Sequence, residues 1–239
     1  NDNAVPATVD LTGLDTSGFS TALNQISKMF KLSAVNMNTL NLTGLNTANI
    51  TNMNGLFYNI SDSSSIVANA LNLTTIDVSL LNTSSVTSFT SMFYSNPTVT
   101  TITGIEDMDT SSVEWFNEMF SGTGLTGSLD LSSWDWSSGK NYSWMFNNVG
   151  SLTDIIGIEN INVTALSSTS ALSNFLNGVT LPTSRYDQLL INLAAQTKNQ
   201  ASQTAHFGSS QYTAGGAAEA ARTSLINNDG YTITDGGAA

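Results

Sequence analysis

Acid–base, nucleophilic and metal chemistry each need residues that this sequence almost entirely lacks. Cysteine is absent, which removes disulfides, thiolate metal ligands and cysteine nucleophiles together. The single histidine, His206, has no obvious Ser or Asp partner, so it reads as a structural or exposed side chain rather than a general base. A zinc site built on histidine would need more ligands than the chain owns. The glycines in AGGAAEAAR and DGG lack the Lys-Ser/Thr ending of a phosphate loop and suit turns and helix ends instead. The expectation is a non-enzymatic chain with no catalytic residue, no metal and no cofactor.

Two groups of residues point to binding instead. One is acidic: Asp77, Glu106, Asp130 and Glu159, with Asp10, Asn41, Thr12, Thr43, Ser79 and Ser132 at equivalent places, are expected to line one polar face of a sheet. Such a stripe could coordinate Ca²⁺ or hydrogen-bond sugar hydroxyls; its plain alternative is a solvated face that keeps the sheet soluble. No pair of these acids stands apart as a hydrolase would need. The other group is aromatic, comprising Trp115, Trp136 and Trp144.

An internal repeat must position both groups. NTANITNMNGLF (46–57), NTSSVTSFTSMF (82–93), DTSSVEWFNEMF (109–120) and DWSSGKNYSWMF (135–146) share an opening Asn or Asp, a polar turn and a closing aromatic residue. Aligned openers fall at Asp15, Asn46, Asn82, Asp109, Asp135 and Asn162, spaced by 31, 36, 27, 26 and 27 residues. A unit near 27 with insertions around 31–39 and 58–75 explains the spacing. Upstream of the openers, VDLTGLD, LNLTGLN, IDVSLLN, TGIEDMD, LDLSSWD and IGIENIN alternate with period two, which predicts half-buried strands. Downstream, Ile50, Met53 and Phe57, then Val86, Phe89 and Phe93, then Val113, Phe116 and Phe120 fall at i, i+3, i+7. That spacing predicts a short helix, with Ser111 and Glu114 in capping-box form. The opener sits at the corner, where its side chain can bond backbone N–H groups. A unit this small cannot bury its own apolar faces, so neighbours must stack into an α/β solenoid with a parallel sheet on one side.

The repeat supplies a control for the tryptophans. Trp134 stands where other copies have Leu, Met or Ile, so it belongs to the core. Trp115 replaces Asn52, Ser88 and Asn141; Trp144 replaces Gly55, Ser91 and Glu118; Trp136 replaces Thr16, Thr47, Thr83 and Thr110. Large rings at polar positions of adjacent units predict an exposed contact surface, or else a patch covered by a neighbouring part of the chain.

After Pro182 the rhythm stops. A helix is expected over 184–201, with Tyr186, Leu189, Leu190, Leu193 and Ala194 on one face, then an extended stretch at 206–212, an Ala-rich helix at 215–227 and a strand at 231–234. Residues 182–239 thus read as a capping module for a repeat region over 1–181.

Composition narrows the partners. Charged residues make up 10% of the 239 residues, and the net charge of -12 leaves six Lys plus Arg, too few to neutralise a run of phosphates. Nucleic acid is excluded as a partner on that ground, and anionic membrane surfaces are disfavoured. No apolar run approaches the roughly 18 residues of a membrane span, and NDNAVPATV, without a basic or apolar leader, reads as a mature or trimmed start. The acidic, Lys-poor, Asn/Ser/Thr-rich composition fits an extracellular setting.

LDLSSWDWSSGKNYSWMF and IDVSLLNTSSVTSFTSMF resemble the repeat of BspA-like leucine-rich surface proteins, also met in mycoplasma-type surface lipoproteins, over about residues 9–178. SRYDQLLINLAAQ, FGSSQYTAGGAAEAARTSLI and GYTITDGG resemble the segment that commonly closes such arrays. The resemblance implies a leucine-rich-repeat-like array closed by a small α+β cap. It also implies a surface-exposed adhesion module whose partner is a cell-surface protein or glycan. The alternative is a structural subunit of a surface layer, filament or virion fibre, self-associating through the sheet edge at Val9, which only eight residues precede.

Overall fold

A computed structural model describes residues 7–10, 29–30, 37–58, 74–149 and 151–239. The opener Asp15, its neighbour Thr16 and most of the two expected insertions lie outside the described residues. Among the described residues eight short strands form four parallel pairs: β1 (Ala7–Asp10) with β2 (Met37–Asn41), β3 (Thr75–Asp77) with β4 (Thr101–Thr103), β5 (Thr126–Asp130) with β6 (Ser151–Ile156), and β7 (Thr204–His206) with β8 (Thr232–Thr234). Each partner belongs to the next unit of the chain, so pairing in every case joins one turn of the backbone to its successor.

The strands end earlier than the period-two pattern predicts, and the cause is local. Asn41, Asp77 and Asp130 each accept the backbone N–H two residues on, at 2.9, 3.0 and 2.9 Å, which bends the chain out of the strand. Units four and six instead insert one residue, a left-handed Gly104 or Gly157, followed by a single 3₁₀ turn at Ile105–Asp107 or Ile158–Asn160. A Cβ on Gly104 would overlap the backbone of Ser79 in the unit below, and one on Gly157 would overlap Leu131 and Ser132. Close stacking and positive φ together demand glycine there.

The helices expected after each opener are absent from the described units. Consecutive tight turns occupy those positions, closed by N–H to C=O bonds from Ile50 to Thr47 and Leu56 to Met53, and likewise from Val113 to Thr110 and Met119 to Phe116. Each such turn begins and ends on an inward-facing side chain, and a spacing of three residues follows without a helix. Glu114 caps nothing; it pairs with Lys140 of the next unit at 2.7 Å. Between the turns the backbone bonds to the neighbouring unit instead. Met53, Phe89 and Phe116 donate to Ser88, Trp115 and Asn141 at 3.0, 2.9 and 3.0 Å, and parallel bridges join Asn52, Ser88, Trp115 and Asn141 in a row.

Two side-chain columns run through this stack. Phe30, Phe57, Phe93, Phe120 and Phe146 lie face to face at centroid separations of 5.5, 5.4, 5.6 and 5.2 Å, and Phe175 closes the column edge-on at 5.9 Å. Offset stacking of this kind adds about 0.5–1.5 kcal/mol per pair to the burial itself. The second column is polar. The buried hydroxyl of Thr110 donates to the carbonyl of Asp135 at 2.9 Å and accepts its N–H at 2.8 Å. Thr47 does the same to Asn82, and Thr83 donates to Asp109. The openers themselves form Asx turns, with Oδ1 of Asn46, Asn82, Asp109, Asp135 and Asn162 each accepting the N–H two residues on.

Beyond Leu181 come α1 (Thr183–Ala195) and α2 (Ala217–Asn227), with β7 and β8. The predicted face of α1 is buried through Tyr186, Leu189, Leu190 and Leu193, with Ala194 packed beside them. Its polar side chains meet backbone groups of the sixth unit. Gln196 donates to Ile161 O and accepts from Val163 N–H, Asn192 donates to Glu159 O, and Asn199 to Leu166 O. The backbone ladder continues through Leu176 to His206 and Phe207 to Thr234, so His206 serves as a strand residue whose Nδ1 accepts the Gly208 N–H at 3.1 Å.

Candidate binding surface

The fifth unit departs from the repeat at four places, and two of these changes compensate a third. Trp136 occupies the buried threonine position, so no hydroxyl there can meet the next opener. Tyr142, standing where Phe116 and Phe89 do, supplies it: its hydroxyl donates to Asn162 O at 3.0 Å. Gly139 stands where the repeat has Val113 and Val86, and a Cβ there would overlap that hydroxyl. Burial pushes the Tyr142 phenol well above its ordinary range. The sequence holds all three changes, yet their coupling appears only when the rings are placed.

Trp136 is 3% exposed and packs on Phe116 at 5.3 Å and Trp134 at 5.2 Å. The expectation that it joins an exposed aromatic patch is therefore corrected. Thr47, Thr83 and Thr110, which it replaces in the described units, are themselves buried, 1–2% exposed, so polarity at that position marks an internal hydrogen bond and not solvent.

The fourth change is Trp144, a residue 43% exposed. Its position is left-handed in units two to five: φ is +61° at Gly55, +55° at Ser91, +60° at Glu118 and +60° at Trp144. Its N–H donates to Ser173 O at 2.8 Å and its carbonyl accepts from Asn147, which fixes that backbone. A bulky side chain in this region costs about 1–2 kcal/mol. Trp115 is half-exposed in the bridge row between Ser88 and Asn141, beside the Glu114–Lys140 ion pair. Among the described residues neither Trp115 nor Trp144 stacks on another ring, so the two are separate features and not a fused cluster.

Other aromatic and acidic groups flank the left-handed row, since the N–H groups of Tyr58 and Tyr94 donate to the carbonyls of Gly55 and Ser91. The rings of Tyr58 and Tyr94 stack at 4.9 Å, and Ser91 donates to Glu118 Oε2 at 2.8 Å. Partial burial first, then the charges of Tyr94 and Glu118, raise the Tyr58 pKa. Sequence reasoning missed these tyrosines because each simply follows a core phenylalanine.

The acidic stripe is broken up. Asp77 pairs in register with Thr103 and Asp130 with Ile156, while Glu106 and Glu159 lie in the 3₁₀ turns beyond the strands. The inserted Gly104 and Gly157 shift the register that simple alignment assumes. Asp77, Glu106 and Asp130 are exposed. Hydrogen bonds from the Ser132 hydroxyl and N–H hold Asp130 below the usual carboxylate range, and Ser111 does the same for Asp109. Glu159 bonds Arg185 at 2.6 Å, and Arg185 also grips Asp154 in a two-pronged contact at 3.1 Å, so Glu159 anchors α1. Among the described residues no three acidic or histidine side chains converge as metal ligands would.

No curated protein and no solved structure matches the chain. Residues 14–71 and 61–180 match the family described as "Mycoplasma protein of unknown function, DUF285", and since these stretches span most of the sequence, the chain belongs to that family.

Proposed function

We propose that the chain is a leucine-rich-repeat-like solenoid with a C-terminal cap, displayed outside the cell, and that it recognises a cell-surface protein or glycan without catalysing a reaction. The observation that carries this reading is Trp144: a large ring, held out into solvent on a backbone conformation that disfavours it, where a sister unit has glycine. Residues kept in disfavoured backbone regions concentrate at functional sites, and an exposed tryptophan is a preferred anchor for a partner surface. The half-exposed Trp115, the Tyr58–Tyr94 pair and Glu118 extend that surface across several units.

Further support for display at a surface comes from composition and from the BspA-like repeat pattern, whose proteins are surface-exposed. The non-enzymatic reading rests on the scarcity of catalytic side chains in the sequence. Fluorescent full chain incubated with epithelial cells and with immobilised matrix proteins tests the proposal. Saturable binding, reduced at least about tenfold by Trp144→Ala, is expected; binding that the substitution leaves unchanged would remove Trp144 as anchor. Absence of binding to every cell and matrix surface would overturn adhesion itself.

A further inference from the structure

The row of left-handed positions holds one charged side chain, and it belongs to the unit next to the exposed indole. Gly55, Ser91, Glu118, Trp144 and Asn174 occupy equivalent places in successive units, with φ between +50° and +61°. Their backbones are joined in one way. The N–H groups of Gly55, Ser91, Glu118 and Trp144 donate to the carbonyls of Thr90, Asn117, Ser143 and Ser173 at 2.9, 2.9, 2.9 and 2.8 Å, in each case the residue just before the next member of the row. Neighbouring backbones bonded in this manner lie about 4.8 Å apart. Equivalent residues of matching conformation send their Cα–Cβ bonds the same way, so Glu118 and Trp144 leave the stack side by side, the first partly exposed and the second exposed.

The fold does not use up either side chain. Glu118 Oε2 accepts the Ser91 hydroxyl at 2.8 Å, but among the described residues no donor meets Oε1 and no cation pairs with the carboxylate. Both residues stand on a backbone that glycine adopts at lower cost, as Gly55 does in unit two. The described cations, by contrast, are all committed: Lys140 to Glu114, Arg185 to Asp154 and Glu159, Lys198 to Asp229, and Arg222 to Asp235. None is left to neutralise Glu118, in a chain whose net charge is -12. An exposed indole and an uncompensated carboxylate on adjacent units suit one chemistry. A cation is attracted by the electron-rich face of the ring and by the carboxylate together.

We propose that the Glu118–Trp144 pair receives an arginine or lysine side chain from a basic segment of a partner protein, the cation lying against the indole and donating to Glu118 Oε1. Arginine suits the pair better, because its planar guanidinium can stack on a ring while it bonds a carboxylate. The acidic field of the chain draws such a segment in and turns away anionic glycans and acidic proteins. This rests on the surface-recognition reading above and names the partner class of the Trp144 anchor, a basic protein and not a glycan.

The ¹⁵N-labelled full chain is titrated with a hexa-arginine peptide, and with hexaglutamate and hexaserine as controls. Hexa-arginine is expected to move the Trp144 indole signal, which the controls leave still. Its affinity, measured by calorimetry, is expected to fall at least about tenfold between about 50 and 500 mM salt. Glu118→Gln and Trp144→Ala are each expected to weaken the peptide about tenfold, the value of one partly desolvated cation contact. Glu106→Gln removes the same charge from an exposed site elsewhere and is expected to change affinity by less than about twofold. Equal losses in Glu118→Gln and Glu106→Gln would overturn the proposal in favour of a diffuse acidic field, as would a Trp144 signal that hexa-arginine does not move. Cell binding that depends on Trp144 yet ignores Glu118→Gln would overturn this inference and leave the recognition reading standing. Peptide binding at the pair without binding to any cell surface would do the reverse.

Discussion

Thr110 shows what a single polar atom does inside this molecule. Its hydroxyl satisfies both the N–H and the carbonyl of Asp135 in a place water does not reach. Replacing it by valine keeps the shape and orphans two backbone groups, so Thr110→Val is expected to lose about 2–3 kcal/mol in urea unfolding while Thr110→Ser loses far less. The fifth unit provides the converse experiment. Gly139→Val alone inserts a side chain where the Tyr142 hydroxyl sits and is expected to destabilise the chain by about 1–3 kcal/mol. The triple change Trp136→Thr, Gly139→Val, Tyr142→Phe restores the pattern of Thr110, Val113 and Phe116, and is expected to recover most of that loss. Additive losses would show that the three positions are not coupled.

At the scale of elements, the segment beyond Leu181 is held by charge as well as by apolar packing. Asp235 is nearly buried, receives Tyr186 Oη at 2.6 Å, and is gripped by Arg222 at 2.7 and 3.1 Å. Burial alone would raise its pKa, but the Arg222 and Tyr186 hydrogen bonds outweigh that and hold it below the ordinary value. With a depressed folded pKa, the stabilisation is complete above the unfolded value of about 3.9 and is lost as pH falls through the folded one. The stability gap between the parent and Asp235→Asn should therefore be full at pH 6 and shrink towards pH 2 in thermal melts. A gap that does not change with pH would assign the effect to packing.

Elements also show what was legible in the sequence. The openers, the Phe57, Phe93, Phe120 and Phe146 column and the buried face of α1 could be read directly, because each depends on which way a side chain faces. The turns after each opener could not. Inward residues three apart are shared by a helix and by consecutive tight turns, and the choice is made by backbone bonds such as Phe89 N–H to Trp115 O that join different units. Trp136 misled for a related reason: a threonine in the alignment gives no sign of whether its hydroxyl meets water or a carbonyl. Glu106 and Glu159 were misplaced by the one-residue insertions at Gly104 and Gly157.

For the whole molecule, the stack spreads its bonds between successive units, so one outer position can be altered without loss of the rest. Trp144 is such a position, and its backbone is the kind that glycine adopts freely, as Gly55 does three units away. Trp144→Gly is therefore expected to leave the fold intact or stabilise it by about 0.5–1 kcal/mol while removing the proposed recognition anchor. Thermal unfolding and cell-surface binding measured on this one variant test the central claim most directly. A thermal midpoint equal to or above the parent's, with binding reduced at least about tenfold, is the expected pair. A destabilised variant that still binds as the parent does would mean that Trp144 serves the fold and not a partner.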